Sequence, residues 1–277
     1  MTQLPRTYLF VPGMRPERFA KALASGADAV VLDLEDAVAA KDKAQARQIV
    51  ASWLAAAAPV DSERIVVRIN DAGSAWFSDD LHAMLAAGAA QLMLPKAERP
   101  QQVADVRATL PRARVLALIE SARGVANVDD IASATGVSRL VFGNLDYALD
   151  LDLDTGGDPH RETAGLAYAA SRIAVASRVA GLPAPVAGVT PQFDDEARLL
   201  ADWGTARAHG FGAKLCIHPR QVMTIHRALL PSAEAVAWAQ RVLAADASSP
   251  GAAQLDGRMV DRPVVLQAQR ILTLSAL

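Results

Sequence analysis

A chain of 277 residues with 52% hydrophobic and 21% charged side chains has ample apolar material for a large core, which excludes a disordered chain. Its formal net charge of −2, from 28 basic and 30 acidic residues, excludes the bulk positive field of a nucleic-acid-binding surface, so any anionic ligand must be held by a few placed residues. The one cysteine, Cys216, excludes an internal disulfide. With no signal-peptide layout at the N-terminus and no apolar run long enough to span a bilayer, the expectation is a cytoplasmic protein without a membrane partner.

In chain order, short apolar runs alternate with amphipathic segments. Residues 8–11 predict a first strand and 16–25 a helix, 29–32 a strand and 41–57 a helix, 65–69 a strand and 78–87 a helix. Further strands are expected at 91–94, 115–119, 140–142, 186–189 and 215–217, with a helix over 162–179. Each run is nearly continuous in apolar residues, as in strands buried on both faces of a parallel sheet. Glycines close several of the helices, at Gly26, Gly88 and Gly181.

Eight strands joined by helical crossovers fit a closed (β/α)8 barrel better than an open sheet. No Gly-x-Gly-x-x-Gly follows the first strand, so a dinucleotide fold has no support. The barrel is expected over residues 1–230. Residues 231–277 then form a C-terminal helical extension that the barrel does not need for closure, with helices over 231–245 and 264–274, a loop at 247–251 and a turn-rich stretch at 255–263. Such an extension is a candidate lid or oligomer arm. Cys216, inside the eighth run, reads as a small buried hydrophobe.

Polar residues directly after barrel strands face the catalytic rim. They are Arg15 after the first strand, Asp33, Glu35 and Asp36 after the second, Arg68 in the third, Lys96 after the fourth, Glu120 after the fifth, Asp146 after the sixth and His218 after the eighth. A set rich in carboxylates can hold a hard divalent cation through oxygen, and no Cys/His cluster has zinc spacing. Strand-end carboxylates also serve as helix caps and ion-pair partners, and this pattern alone leaves both roles open. His218 reads as a loop hydrogen-bonder before Pro219.

The motifs Arg6-Thr7-Tyr8-Leu9-Phe10-Val11-Pro12-Gly13, Leu32-Asp33-Leu34-Glu35-Asp36, Leu94-Pro95-Lys96, Ile119-Glu120-Ser121, Gly143-Asn144-Leu145-Asp146 and Gly212-Ala213-Lys214-Leu215-Cys216-Ile217-His218-Pro219 stand in an order and spacing that cover almost the whole chain. In these, the chain resembles the citrate lyase β-subunit-like proteins of the aldolase/citrate lyase superfamily. Thr7 stands where many of those relatives have serine, which keeps the hydroxyl.

The resemblance implies a Mg2+-dependent barrel enzyme, with Mn2+ as an alternative, acting on an acyl-CoA or acyl-carrier thioester as a homo-oligomer, a trimer or a multiple of it. It implies Glu120 and Asp146 as metal ligands and Arg68 as the cation that holds substrate and polarises its oxygen. Asp261 becomes an acid/base reaching into a neighbouring subunit. Glu35 and Asp36, with Asp33, are expected around metal-bound water and Arg68, with Lys96 paired to this acidic cluster or bound to substrate. Arg15, Arg18 and Lys21 are expected to meet the CoA phosphates.

The expected reaction is carbon–carbon cleavage of a citramalyl-CoA or malyl-CoA type substrate. The alternatives are a citryl-carrier lyase subunit, a synthase–thioesterase and a barrel that serves only as a binding partner.

Overall fold

The computed structural model describes residues 4–158, 161, 163–249 and 253–275. Eight parallel strands close into a barrel in sequence order: β1 Thr7–Pro12, β2 Ala29–Asp33, β3 Ile65–Arg68, β4 Gln91–Leu94, β5 Arg114–Ile119, β6 Val137–Phe142, β7 Val186–Ala187 and β8 Ala213–Cys216. β8 pairs with β1 through Thr7–Lys214, Tyr8–Leu215 and Leu9–Cys216, which completes the (β/α)8 barrel the sequence predicts.

A strand alternates its side chains between two faces, and here both faces are dry. Ala29 and Val31 of β2, Val66 of β3, Leu116 and Leu118 of β5 and Leu215 of β8 belong to the cluster that fills the barrel. Val30, Leu32, Val67 and Cys216 alternate with them and are equally buried on the side of the surrounding helices. The same two-residue step carries the inward set past the apolar layers. It delivers Asp33 from β2, Arg68 from β3, Glu120 after β5 and Gly143 after β6 to the C-terminal rim. At the other end, buried Arg139 of β6 closes the barrel by donating to the carbonyls of Ala184 (2.8 Å) and Pro5 (2.6 Å) and to the Tyr8 hydroxyl (3.2 Å).

Several boundaries differ from those the sequence predicts. Residues 16–25 divide into a 3-10 turn, Pro16–Arg18, and a short helix, Phe19–Leu23. The helix expected over 41–57 is likewise preceded by a 3-10 turn and runs from Lys43 to Ala56. The helix expected from residue 162 begins at Ala164, where the Thr163 hydroxyl accepts from the Leu166 N–H at 3.2 Å; residue 162 itself lies outside the described residues. The seventh strand, expected over 186–189, pairs only over Val186–Ala187, and Gly188 beyond it packs closely against Asn144 and the Phe142 carbonyl. An added Cβ on Gly188 would lie 1.9 Å from Asn144 Oδ1, so only glycine admits that side chain.

Two outward-facing residues of β8 are wholly enclosed. Lys214 donates to the Gly188 carbonyl, and burial lowers its pKa to about 8. Cys216 has no exposed surface, and burial pushes its thiol up to about 12.

The chain divides into two compact units, Met1–Met223 and Thr224–Leu277. In the second, the helices Ala233–Ser248 and Arg262–Ser275 share a small core of Ala239, Val242, Ala253, Val260 and Ala268. Between them lies a hairpin, β9 Gln254–Leu255 paired with β10 Arg258–Met259. Its turn residues Asp256 and Gly257 both have positive φ (50° and 75°), the pairing that matches the twist of a two-residue hairpin loop. The stretch expected only as turn-rich is therefore this hairpin. Ser248 and Ser249, placed in a loop by sequence, end the first of these helices, and residues 250 and 251 of that loop lie outside the described residues. Among the described residues, no helix is long and apolar enough to cross a membrane.

Candidate active site

A cavity of about 880 Å3 opens at the C-terminal rim of the barrel. One side of its floor is polar, with Asp33, Arg68, Glu120 and Asp146, and the other is apolar, with Phe10, Leu118, Val189 and Leu215.

Arg68 is the centre of the polar half. Its Nε and Nη2 donate to the two oxygens of Asp33, each at 2.7 Å, in a bidentate fork. Nη1 reaches Asp36 at 3.3 Å and lies 3.0 Å from Glu35 Oε2, an ion-pair distance without hydrogen-bond alignment. The guanidinium carbon stands 4.9 Å from the centre of the Phe10 ring. Burial opposes the charge of Arg68, but Asp33, Glu35 and Asp36 outweigh it and hold the pKa above the ordinary arginine value.

The acidic loop after β2 is itself fastened. Asp33 accepts from the backbone N–H groups of Glu35 (2.9 Å) and Ala37 (3.1 Å). Buried Lys43 donates to the carbonyls of Leu34 (2.8 Å) and Glu35 (2.7 Å). Burial lowers the Lys43 pKa against the pull of the acids around it.

Glu120 is buried, and its Oε1 accepts from the Lys96 N–H at 2.8 Å. Desolvation, reinforced by the charges of Glu35 and Asp146, raises its pKa to about 8. Asp146 sits in the first turn of the helix Asn144–Asp150, where its carboxylate faces the helix N-terminus. It opens to the cavity, yet partial desolvation and the charge of Asp36 raise its pKa as well. Glu35 is raised to about 7, chiefly by burial. Two carboxylates of one cavity that resist ionisation this way would be drawn into their charged form by a hard cation bound beside them. Among the described residues, no three His, Cys, Asp or Glu side chains are grouped as ligands of an ion. Two carboxylates would leave most of an octahedral shell to water and substrate.

The room for Glu120 depends on Gly143. A Cβ there would stand 2.6 Å from both the Cβ and Oε2 of Glu120. Gly143→Ala is therefore expected to displace the Glu120 carboxylate and weaken Mg2+ binding by about 10- to 100-fold, as for loss of a ligand-orienting contact. Calorimetric titration checks this, and unchanged affinity would show that Glu120 does not bind the ion.

Of the residues expected to meet CoA, Arg18 and Lys21 line the cavity mouth; Arg15 does not, and pairs with Glu17 at 3.6 Å. Lys96 does not line the cavity, and its ammonium stands 3.4 Å from Glu35. Asp261 belongs to the second unit, where its Oδ1 caps the helix Arg262–Ser275 by accepting from the Val264 N–H at 3.2 Å. His218 accepts from the Arg220 N–H at 3.2 Å and stacks on Phe193 with ring centres 5.2 Å apart.

Sequence reasoning missed the residues that hold this machinery from behind. Besides Lys43, they include Asp80, which accepts from the Asn70 backbone N–H (2.9 Å) and from Arg47 (2.7 Å), and Gln102, which supports the turn around Lys96. Lys43 and Asp80 reach partners 8 to 33 residues away, so no local motif announces them, whereas Gln102 bonds its near neighbours as the third residue of a capped helix start, a signal that sequence does carry.

A closed barrel with a half-apolar cavity at the strand C-termini, carrying a cluster of acids around one arginine, defines an enzyme of the (β/α)8 class. Residues 6–219 match the model of the HpcH/HpaI aldolase/citrate lyase family, and the chain belongs to that family. A citrate lyase subunit beta-like protein of Mycobacterium tuberculosis is 40% identical over 270 residues, covering 96% of this chain and 93% of that one. A (3S)-malyl-CoA thioesterase of Cereibacter sphaeroides is 32% identical over 271 residues, covering 96% and 93%. The crystal structure of M. tuberculosis CitE in complex with magnesium, acetoacetate and coenzyme A superposes with a TM-score of 0.88 at 37% identity, covering all of both chains.

Proposed function

We propose that this protein is a Mg2+-dependent carbon–carbon lyase that cleaves a short 3-hydroxy-3-carboxyacyl-CoA, of citramalyl-CoA or malyl-CoA type, into acetyl-CoA and a 2-oxo acid. The observation that carries the reading is the pairing, in one cavity, of the raised carboxylates Glu120 and Asp146 with the acid-anchored guanidinium of Arg68. The relative crystallised with magnesium, acetoacetate and coenzyme A supports the metal and the coenzyme A portion of the substrate.

Glu120 and Asp146 would hold the cation, which would supply Lewis-acid polarisation of the substrate hydroxyl and its neighbouring carboxylate. Every other role falls to the chain. The hydroxyl proton leaves to Asp36, which lines the cavity beside Arg68. The carbonyl of the oxo acid forms, the C2–C3 bond breaks, and its electron pair becomes the thioester enolate. Arg68, fixed by Asp33 and Glu35, faces that oxyanion with a charge that needs no reorganisation. A proton delivered to the enolate carbon by Asp261 of a neighbouring subunit completes acetyl-CoA. Arg18 and Lys21 at the mouth meet the CoA phosphates. The protein acts as a homo-oligomer in the cytoplasm.

Incubation of purified protein and Mg2+ with citramalyl-, malyl- and citryl-CoA tests the reading. The expected result is release of acetyl-CoA with one oxo acid, abolished by EDTA. The thioesterase relative favours one second reading, which would instead yield free CoA. Absence of turnover on every free CoA ester refutes the proposal.

The role of Asp261 has its own test. Asp261→Asn is expected to bind Mg2+ normally and lose most of its rate. Mixing it with an inactive Glu120 variant should restore part of the activity through hybrid sites. A normal rate in Asp261→Asn would reduce this residue to the helix cap described above.

A further inference from the structure

Among the described residues, three that are not glycine hold a left-handed backbone: Lys96 (φ 47°), Asp152 (50°) and Asp256 (50°). Aspartate tolerates that region through its short polar side chain, whereas lysine has no such compensation. The turn at Lys96 is thus imposed by its surroundings, and three contacts show by what. The Lys96 N–H donates to Glu120 Oε1 at 2.8 Å, its carbonyl accepts from Gln102 Nε2 at 3.1 Å, and its ammonium stands 3.4 Å from Glu35 Oε1. Gln102 is buried in the helix Pro100–Thr109 and also accepts from the N–H groups of Glu98 (2.7 Å) and Arg99 (2.9 Å), so it staples the whole turn. The far oxygen of Glu35 lies against Arg68.

We infer that Lys96 is a positioning residue that ties the two halves of the site together. Its backbone N–H aims the carboxylate of Glu120, and its ammonium steadies Glu35 beneath Arg68; it does not contact the substrate. The ammonium opposes the charge of Glu35 from the side away from Arg68, so the two cations hold one carboxylate between them. The inference rests on the reading of Glu120 as a metal ligand.

The test separates the backbone arm from the side-chain arm. Lys96→Gly keeps the N–H and suits the positive φ, while Lys96→Met keeps the strain; both delete the ammonium. Both are expected to bind Mn2+ within about 3-fold of wild type, read by electron paramagnetic resonance on the resting protein. Both should lose about 10- to 100-fold in kcat with KM nearly unchanged, and Lys96→Gly should unfold at the higher temperature of the two. Gln102→Glu removes the donor that holds the Lys96 carbonyl and should weaken Mn2+ binding by about 10- to 100-fold although it touches neither ligand.

A raised KM with intact kcat in the Lys96 variants would assign this residue to substrate contact and overturn the inference. Wild-type Mn2+ affinity in Gln102→Glu would overturn the backbone arm. Should Gln102→Glu fail to fold, the division between kcat and KM in the Lys96 pair still decides. Glu120→Gln serves as the control: if it binds Mn2+ like wild type, the functional reading fails rather than the inference.

Discussion

Glu120→Gln is expected to abolish turnover and Mg2+ binding while making the metal-free protein more stable at neutral and alkaline pH. The sign follows from the raised pKa. Glu120 titrates near 8 in the fold against 4.5 when unperturbed, so between these values the folded state holds a proton that the unfolded chain has released. The wild-type, metal-free protein therefore loses stability as pH rises through that window, and the full penalty is present above about 8. Glutamine has the same shape and no charge, so the variant escapes that loss. Glu35, raised to about 7, acts in the same direction in both proteins and largely cancels from their difference.

Saturating Mg2+ should restore the wild type, by about 2.7 kcal/mol at a hundred times Kd, and leave the variant unmoved. Thermal unfolding with EDTA or Mg2+ at pH 5 and pH 8.5 checks both parts. A variant no more stable than wild type at pH 8.5, or one that still responds to Mg2+, would refute the assignment.

The second large effect is expected at Arg68. Arg68→Ala leaves Asp33 buried without its cation and Glu35 with Lys96 alone, a change that costs about 3–5 kcal/mol when one partner of a buried pair is removed. Arg68→Lys keeps the charge but loses the planar fork that matches both oxygens of Asp33. The lysine variant is expected to fold and to lose about 10²- to 10³-fold in kcat, the range for removing one donor at a developing oxyanion. Urea unfolding and steady-state kinetics separate the two effects. A lysine variant with wild-type kcat would confine Arg68 to a structural role.

How much of this was legible in the sequence follows from which forces act locally. The eight strands were readable because both faces of a parallel barrel strand are dry, which leaves uninterrupted runs such as Ala29-Val30-Val31-Leu32 and Val115-Leu116-Ala117-Leu118-Ile119. The strand-end rule then placed Arg68, Glu120 and Asp146 at one rim, where the cavity lies. Strand β7 was overread because Gly188 and Val189 continue the apolar run, while the close packing of Gly188 against Asn144 just past the paired residues is a tertiary event. Lys43 and Asp80 were invisible for the same reason, whereas Gln102 carries a local capping signal at the third position of its helix. A buried lysine in a first helical turn resembles any solvated one until the carbonyls of Leu34 and Glu35 are placed against it. Lys96 was noticed for its charge, whereas its backbone angle and N–H are what reach Glu120.

Cys216 gives the barrel a built-in reporter of its own opening. The thiol has no solvent access, and its high pKa leaves almost no thiolate at neutral pH, so a thiol reagent meets an inert group while the helices stay packed on the outer face of β8. Labelling must wait until that layer lifts from the strand. With a single cysteine in the chain, the rate at which a chromogenic disulfide reacts measures how often this stretch of the barrel wall is uncovered. Mass shift after a timed pulse therefore follows local opening at one defined strand, without any added probe.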